Sequence, residues 1–124
     1  MATAHNDVYD AALAKVATCT AVHACTSEPA NHAGIAAVTV GNYTLTAGNG
    51  NGDWTIADGD TSGRKLTLGA QSGNNGTGTG AANFLAFTDG TTLLYTCAGD
   101  GDTVNSGSPF TIAATNVLEL RDPA

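Results

Sequence analysis

Asn83-Phe-Leu-Ala-Phe-Thr-Asp-Gly-Thr-Thr-Leu-Leu-Tyr-Thr-Cys97 is the stretch whose reading decides the fold. Two apolar, β-prone runs flank Asp89-Gly90, a pair that tolerates the positive φ angles of a two-residue type I′ turn. In that register Phe84 faces Tyr95 and Ala86 faces Leu93 on one side. Leu85 then faces Leu94, and Phe87 faces Thr92, on the other. Both sides are apolar near the middle, whereas a sheet with one wet face alternates polar and apolar residues. Each side therefore needs a cover. A second sheet can supply one, and a helix or another protein must supply the other.

Upstream, Asn6 to Ala17 reads as the one good helix. Thr3 or Asn6 can cap it, and Asp7 and Asp10 suit the positive end of its dipole. Tyr9, Ala12, Leu13, Val16 and Ala17 recur at helical spacing and form one apolar stripe. Thr18 and Thr20 weaken helical preference, and Glu28-Pro29 blocks simple continuation. From Gly34 the pattern turns to β, with strands expected at Ile35–Val40, Tyr43–Ala47, Trp54–Ala57 and Arg64–Leu68, and a turn at Gly41-Asn42. The Gly/Asn/Thr/Ser run from Gln71 to Gly80 reads as a flexible tip or an extended strand with little to bury. Beyond the hairpin, Ala98–Pro109 reads as a polar loop, then Phe110–Ala113 and Asn116–Leu120 as closing strands before Asp122-Pro123. Seven to nine short strands predict a mainly β chain, an antiparallel β-sandwich or jelly-roll-like barrel with one short N-terminal α-helix. A single domain over 1–124 is expected, with a helical segment at 1–20 and a β domain at 34–122.

Length and charge narrow the function classes. The 124 residues suit one domain with a real core, and 16 glycines with 12% charged residues point to many turns. Lys15, Arg64, Lys65 and Arg121 stand against eleven carboxylates, for a net charge of −7. Nucleic acid is a poor partner, since phosphate neutralisation needs clustered Lys and Arg; a basic protein surface is a better one. Met1 to Asp7 is polar and acidic, without the features of a secretory leader, and no run reaches membrane-spanning length. Synthesis in a cytoplasm as a soluble protein is expected, with no membrane partner. Asn42-Tyr43-Thr44 and Asn75-Gly76-Thr77 then read as turns rather than glycosylation sites.

Chemistry is sparse. Cys19, Cys25 and Cys97 are an odd set; Cys19 and Cys25 could bridge in an oxidising compartment, while buried or reduced thiols are the default in a cytoplasm. Cys19, His23 and Cys25, even with His5 and His32, do not make a zinc spacing. Asn49, Asn51 and Asp53 echo a calcium loop, but Trp54 stands where such a loop needs Gly and no bidentate Glu closes it. Asp58-Gly-Asp60 and Asp100-Gly-Asp102 read as turns. No nucleophile elbow or phosphate loop is present. No catalytic, cofactor or metal residue is therefore assigned, and an enzyme is not expected. A carbohydrate-binding module is the rival reading, with Trp54, Tyr43 and Tyr95 as stacking candidates and Trp54 the one expected to be presented.

Asp7 to Val16, Cys25-Thr-Ser-Glu-Pro29, Gly63-Arg-Lys65, Phe87-Thr-Asp-Gly90, Asn105-Ser-Gly107 and Leu118 to Pro123 together resemble small structural proteins of tailed bacteriophages. These have a short N-terminal helix, a break, and a Gly-rich β domain. The resemblance implies a virion component made in a bacterial cytoplasm: a capsid cement or decoration protein on the head surface. Its implied partners are the major capsid protein and further copies of itself, as a trimer. A tail or head–tail junction protein is the alternative. In this reading the Phe84/Tyr95 face of the hairpin packs into the core with Leu93 and Cys97. The Leu85/Phe87/Leu94 face meets the helical residues Tyr9, Leu13 and Val16, or a neighbouring subunit.

Overall fold

The computed structural model describes residues 4–50 and 53–122. In chain order the elements are α1 (Asn6–Val16), β1 (Ala21–Cys25), a 3₁₀ turn (His32–Gly34), α2 (Ile35–Val38), β2 (Thr39–Thr44), β3 (Trp54–Asp58), β4 (Arg64–Leu68), β5 (Gly80–Ala81), β6 (Phe84–Thr88), β7 (Leu93–Ala98), β8 (Thr103–Val104) and β9 (Thr115–Leu120). The chain is mainly β, with every strand pair antiparallel and one longer helix at the N-terminal end. It divides into two compact units, both discontinuous in sequence. The first holds residues 1–18, 46–70 and 113–124, and the second holds 19–45 and 71–112.

The first unit is α1 and the three-stranded sheet β3-β4-β9. Strand register puts Trp54, Ile56, Leu66 and Leu68 on one face and Thr55, Thr67, Lys65 and Glu119 on the other. That is the alternation of a sheet covered on one side. The cover is α1, which packs on β3 and β4 and buries Tyr9, Leu13 and Val16. His5, not Asn6, caps the helix: its ring Nδ1 accepts from the Asp7 amide at 3.1 Å. Arg64 ties the helix to the sheet, donating to Asp10 and to Asp58 at 2.8 Å each. The Tyr9 hydroxyl donates to the Asp122 carboxylate at 2.9 Å, fixing the chain beyond β9. The helix thus docks on an open sheet face as its stripe requires. The face is that of β3-β4. Thr3, Asn51 and Pro123 lie outside the described residues.

The second unit contains the four-stranded sheet β2-β1-β6-β7 and the small ribbon β5-β8. Its central strand β1 is absent from the sequence reading. Ala21-Val-His-Ala-Cys25 is short and weakly apolar, yet it pairs with β2 on one side and β6 on the other. Val22 and Ala24 are fully buried. Ile35–Val40, expected as a strand, opens instead as the turn of helix α2 and becomes extended only from Thr39. Gly41-Asn42 is no turn but lies inside β2, paired with Ala24 and His23. Phe110–Ala113 is not a strand either: Ile112 makes a single bridge to Gln71. Residues 71–80 are no free tip. They bond to the 105–110 segment and run along the edge of β2, where the Thr77 amide donates to the Val40 carbonyl at 2.8 Å.

Gly41 shows how closely this unit is packed. The ring of Phe110 lies over its backbone, so that a Cβ would sit 2.6 Å from ring carbons. The Tyr43 hydroxyl donates to the Phe110 carbonyl and the two rings are 4.9 Å apart, which keeps Phe110 from moving aside. Gly41→Ala should therefore cost about 1–3 kcal/mol by overpacking. A lower urea midpoint with an unchanged slope would register that loss; an unchanged midpoint would mean Phe110 can swing clear.

The hairpin forms, but in another register. Phe84 pairs with Ala98, Leu85 with Cys97, Ala86 with Thr96 and Phe87 with Tyr95. A bulge follows, and Thr88 meets Leu93. A type I′ turn needs positive φ at both central residues; here Gly90 has φ 103° and Asp89 does not share it. Asp89 instead closes a longer loop through its side chain, accepting from the amides of Thr91 and Thr92 at 3.0 and 2.9 Å. Those local bonds outcompete the tighter turn.

Candidate functional site

The register decides which residues share a face. Leu85 and Phe87 stand with Tyr95 and Cys97, and with Val22, Ala24 and Tyr43 across the sheet. Phe84, Ala86 and Thr96 form the opposite face with His23 and Cys25. Tyr95 therefore belongs with Phe87 and not with Phe84, correcting the expected grouping. The opposite face is covered by Ile35 and Val38 of α2, which close over Cys25, Ala86, Phe84 and Leu93. A four-residue helix supplies the cover that the hairpin's composition demanded.

The six residues proposed as an interface fall into two classes. Tyr9, Leu13 and Val16 are buried in the first unit, and Leu85 and Phe87 in the second. These five are core within a single copy of the chain and have little surface to offer a neighbour. Leu94, the extra residue of the bulge, is only half-buried.

The polar candidates are engaged in local structure. Asn49 accepts from the Ile56 amide, Asp53 from the Thr46 amide and Asp100 from the Asp102 amide. Asp58 pairs with Arg64, and Asp60 with Lys65 and Asn116. The Lys65 ammonium holds the Asp60 carboxyl below the usual carboxylate range, and Arg121 does the same for Glu119. Both carboxyls add to stability above their unfolded values, and the gain fades as pH falls through the folded ones. Burial, and then the nearby His32, pull His23 downward. Among the described residues no three His, Cys, Asp or Glu side chains come together as a metal site. Trp54, expected to be presented, is fully buried and Tyr43 nearly so, which leaves the half-buried Tyr95 as the one of the three stacking candidates with surface to offer. Packing beneath a helix takes Trp54 out of the loop surface that its neighbours Asn49 to Asp53 suggested.

Cys25 carries no bridge to Cys19. Burial pushes the Cys25 and Cys97 thiols from 9.0 up to about 11. Between these values the unfolded chain loses its protons while the folded one keeps them, so stability is intact below pH 9.0 and falls towards pH 11. Alkaline melting curves should show that fall, and it should flatten in a Cys25→Ala, Cys97→Ala variant. Ellman's reagent at neutral pH should label Cys25 only upon unfolding.

What the second unit does expose is a sheet edge and a one-signed field. The outer edge of β2 is shielded by residues 74–78, whose bonds reach Val40 and Asn42. Among the described residues no strand follows β7 in the sheet order. Residues 93–98 carry no charged side chain, and 93–97 are half-buried throughout. Alongside lies an open depression of about 320 Å³ lined by Glu28, Pro29, Ala30, Leu93, Leu94, Tyr95 and Thr96. Thr96 donates to Glu28 at 2.9 Å, holding the 28–30 segment beside the strand. All four Lys and Arg residues belong to the first unit; the second has none, and its carboxylates are Glu28, Asp89, Asp100 and Asp102. The composition carried only the net charge; the topology sorts the basic residues into the first unit and gathers the carboxylates of the second around β7. No helix among the described residues is long and apolar enough to cross a membrane. No family model, curated protein or solved structure matches the chain.

Proposed function

We propose that this chain is a structural binding protein of a tailed-phage particle, a cement protein that adds to the head lattice and stabilises it. The observation that carries the binding part is the charge segregation: one compact unit has four carboxylates, no Lys or Arg, and an open sheet edge between them. A surface of that kind favours basic protein and repels nucleic acid. The virion part rests on the sequence resemblance, whose segments include α1, the Cys25–Pro29 strand exit and the Phe87–Gly90 turn. On this reading the major capsid protein is the partner, and assembly of copies around symmetric junctions, as a trimer, multiplies modest contacts through avidity. The chemistry is non-covalent: the carboxylate-bearing surface binds, and no bond is made or broken.

The test is to add purified protein to capsids that lack it. Saturation at a fixed ratio to the capsid subunit, with a higher rupture temperature, is the expected result. Unchanged rupture and no binding would sink the cement reading. Counting copies in purified particles separates head from tail: hundreds place it on the head lattice, a handful on the tail.

A further inference from the structure

We propose that β7 is a docking edge for a basic, extended peptide segment of the partner protein, which pairs with it as a fifth strand of the β2-β1-β6-β7 sheet. Strand addition takes its affinity from main-chain hydrogen bonds and its selectivity from side chains meeting pockets along the edge. Both requirements are present. Natural sheets protect open edges with charge, proline, bulges or a covering segment. This fold covers the β2 edge with residues 74–78, whereas β7 has neither a charged residue nor a proline across its six positions. Its bulge lies at the Leu93 end, leaving Tyr95 to Ala98 in regular register with β6. The depression between Pro29, Ala30, Leu94 and Tyr95 lies where an incoming strand would place a small apolar side chain.

Charge selects the occupant. Glu28 stands beside the middle of the strand, and the exposed Asp100 and Asp102 lie just beyond its end. With no Lys or Arg in the unit, a segment of alternating small apolar residues flanked by Lys or Arg is complementary to this edge. A second copy of β7 pairing antiparallel would instead bring the two sets of carboxylates together. The inference rests on the preceding reading only for the partner's basic character, and needs no capsid to test it.

The probe is a synthetic ten-residue peptide, Lys-Lys-Thr-Val-Thr-Val-Thr-Val-Lys-Lys, titrated into the full chain. An otherwise identical peptide with Glu for Lys and a third with proline at the central valine serve as comparisons. The basic peptide should bind, slow hydrogen exchange at β7 amides, and weaken by about tenfold or more as salt rises from roughly 50 to 500 mM. The acidic and proline peptides should not bind. Glu28→Gln, Asp100→Asn and Asp102→Asn combined should weaken binding by at least about fivefold while the melting temperature holds. Leu94→Lys should weaken it further by placing a like charge on the edge. Equal binding of the proline peptide would overturn strand pairing, and equal binding of the acidic peptide would overturn the charge selection. Dimers in sedimentation that Leu94→Lys dissolves would assign the edge to a second copy and overturn the proposal. Capsid rebinding without any peptide binding would remove this edge and leave the cement reading standing; peptide binding without capsid rebinding would do the reverse.

Discussion

Trp54→Ala should cost the first unit about 3–5 kcal/mol and should not act through any ligand. Trp54 is fully buried and shares the helix-covered face of its sheet with Leu66 and Leu68, directly across from Leu68 in register. A buried indole removes roughly 150–250 Å² from water, worth about 4–6 kcal/mol at about 25 cal/mol per Å², an upper bound. Small domains hold only about 5–15 kcal/mol in reserve, so the variant should be strongly destabilised or unfolded at room temperature. The same substitution divides two functional readings. A sugar-binding module would keep its fold and lose glycan affinity when its stacking aromatic is removed. Urea unfolding followed by far-ultraviolet circular dichroism decides between them. A well-folded Trp54→Ala with a wild-type midpoint and lost glycan binding would restore the carbohydrate reading.

The sequence is most legible where local pattern and tertiary context agree. Arg64–Leu68 alternates cleanly because its sheet has one covered face, and β4 occupies those very residues. Asn6 to Val16 is a helix for the reasons its stripe and its acidic first turn suggest. Legibility fails where a residue's role is set from afar. Ile35-Ala-Ala-Val38 has no periodicity long enough to distinguish a helical turn from a strand, and packing over Cys25 and Ala86 selects the helix. Gly41 looks like a turn residue, but it is a strand residue beneath the ring of Phe110. Val22 and Ala24 alternate as a strand should, a faint signal beside the Thr-rich, Pro-terminated surroundings of β1. As for the site, net acidity was visible in composition. The unprotected edge was not, because edge and centre are properties of strand order, and β1 had to be inserted before β7 could be seen as the end of the sheet.

Phe87→Ala is the matching test for the second unit and should cost about 3–5 kcal/mol. Phe87 is fully buried on the central strand β6, with Val22 across one neighbour and Tyr95 across the other. Removing the ring opens a cavity between three strands, and paired backbones cannot shift together to fill it. Leu94→Ala, seven residues further on, should cost under about 1 kcal/mol, because Leu94 is the half-buried bulge residue of an edge strand. In the register of a two-residue turn the two residues read as one apolar surface, and the observed register separates them into a core residue and an edge residue. Binding should invert the order of the effects. Leu94→Ala leaves a folded protein with a shallower pocket for an added strand, so peptide affinity falls while the urea midpoint barely moves. Phe87→Ala lowers the midpoint, and at temperatures where it stays folded its peptide affinity should match the parent protein. A Phe87→Ala protein of unaltered stability that no longer associates would make Phe87 an intersubunit contact after all, and would shift the partner surface from the edge of this sheet to its face.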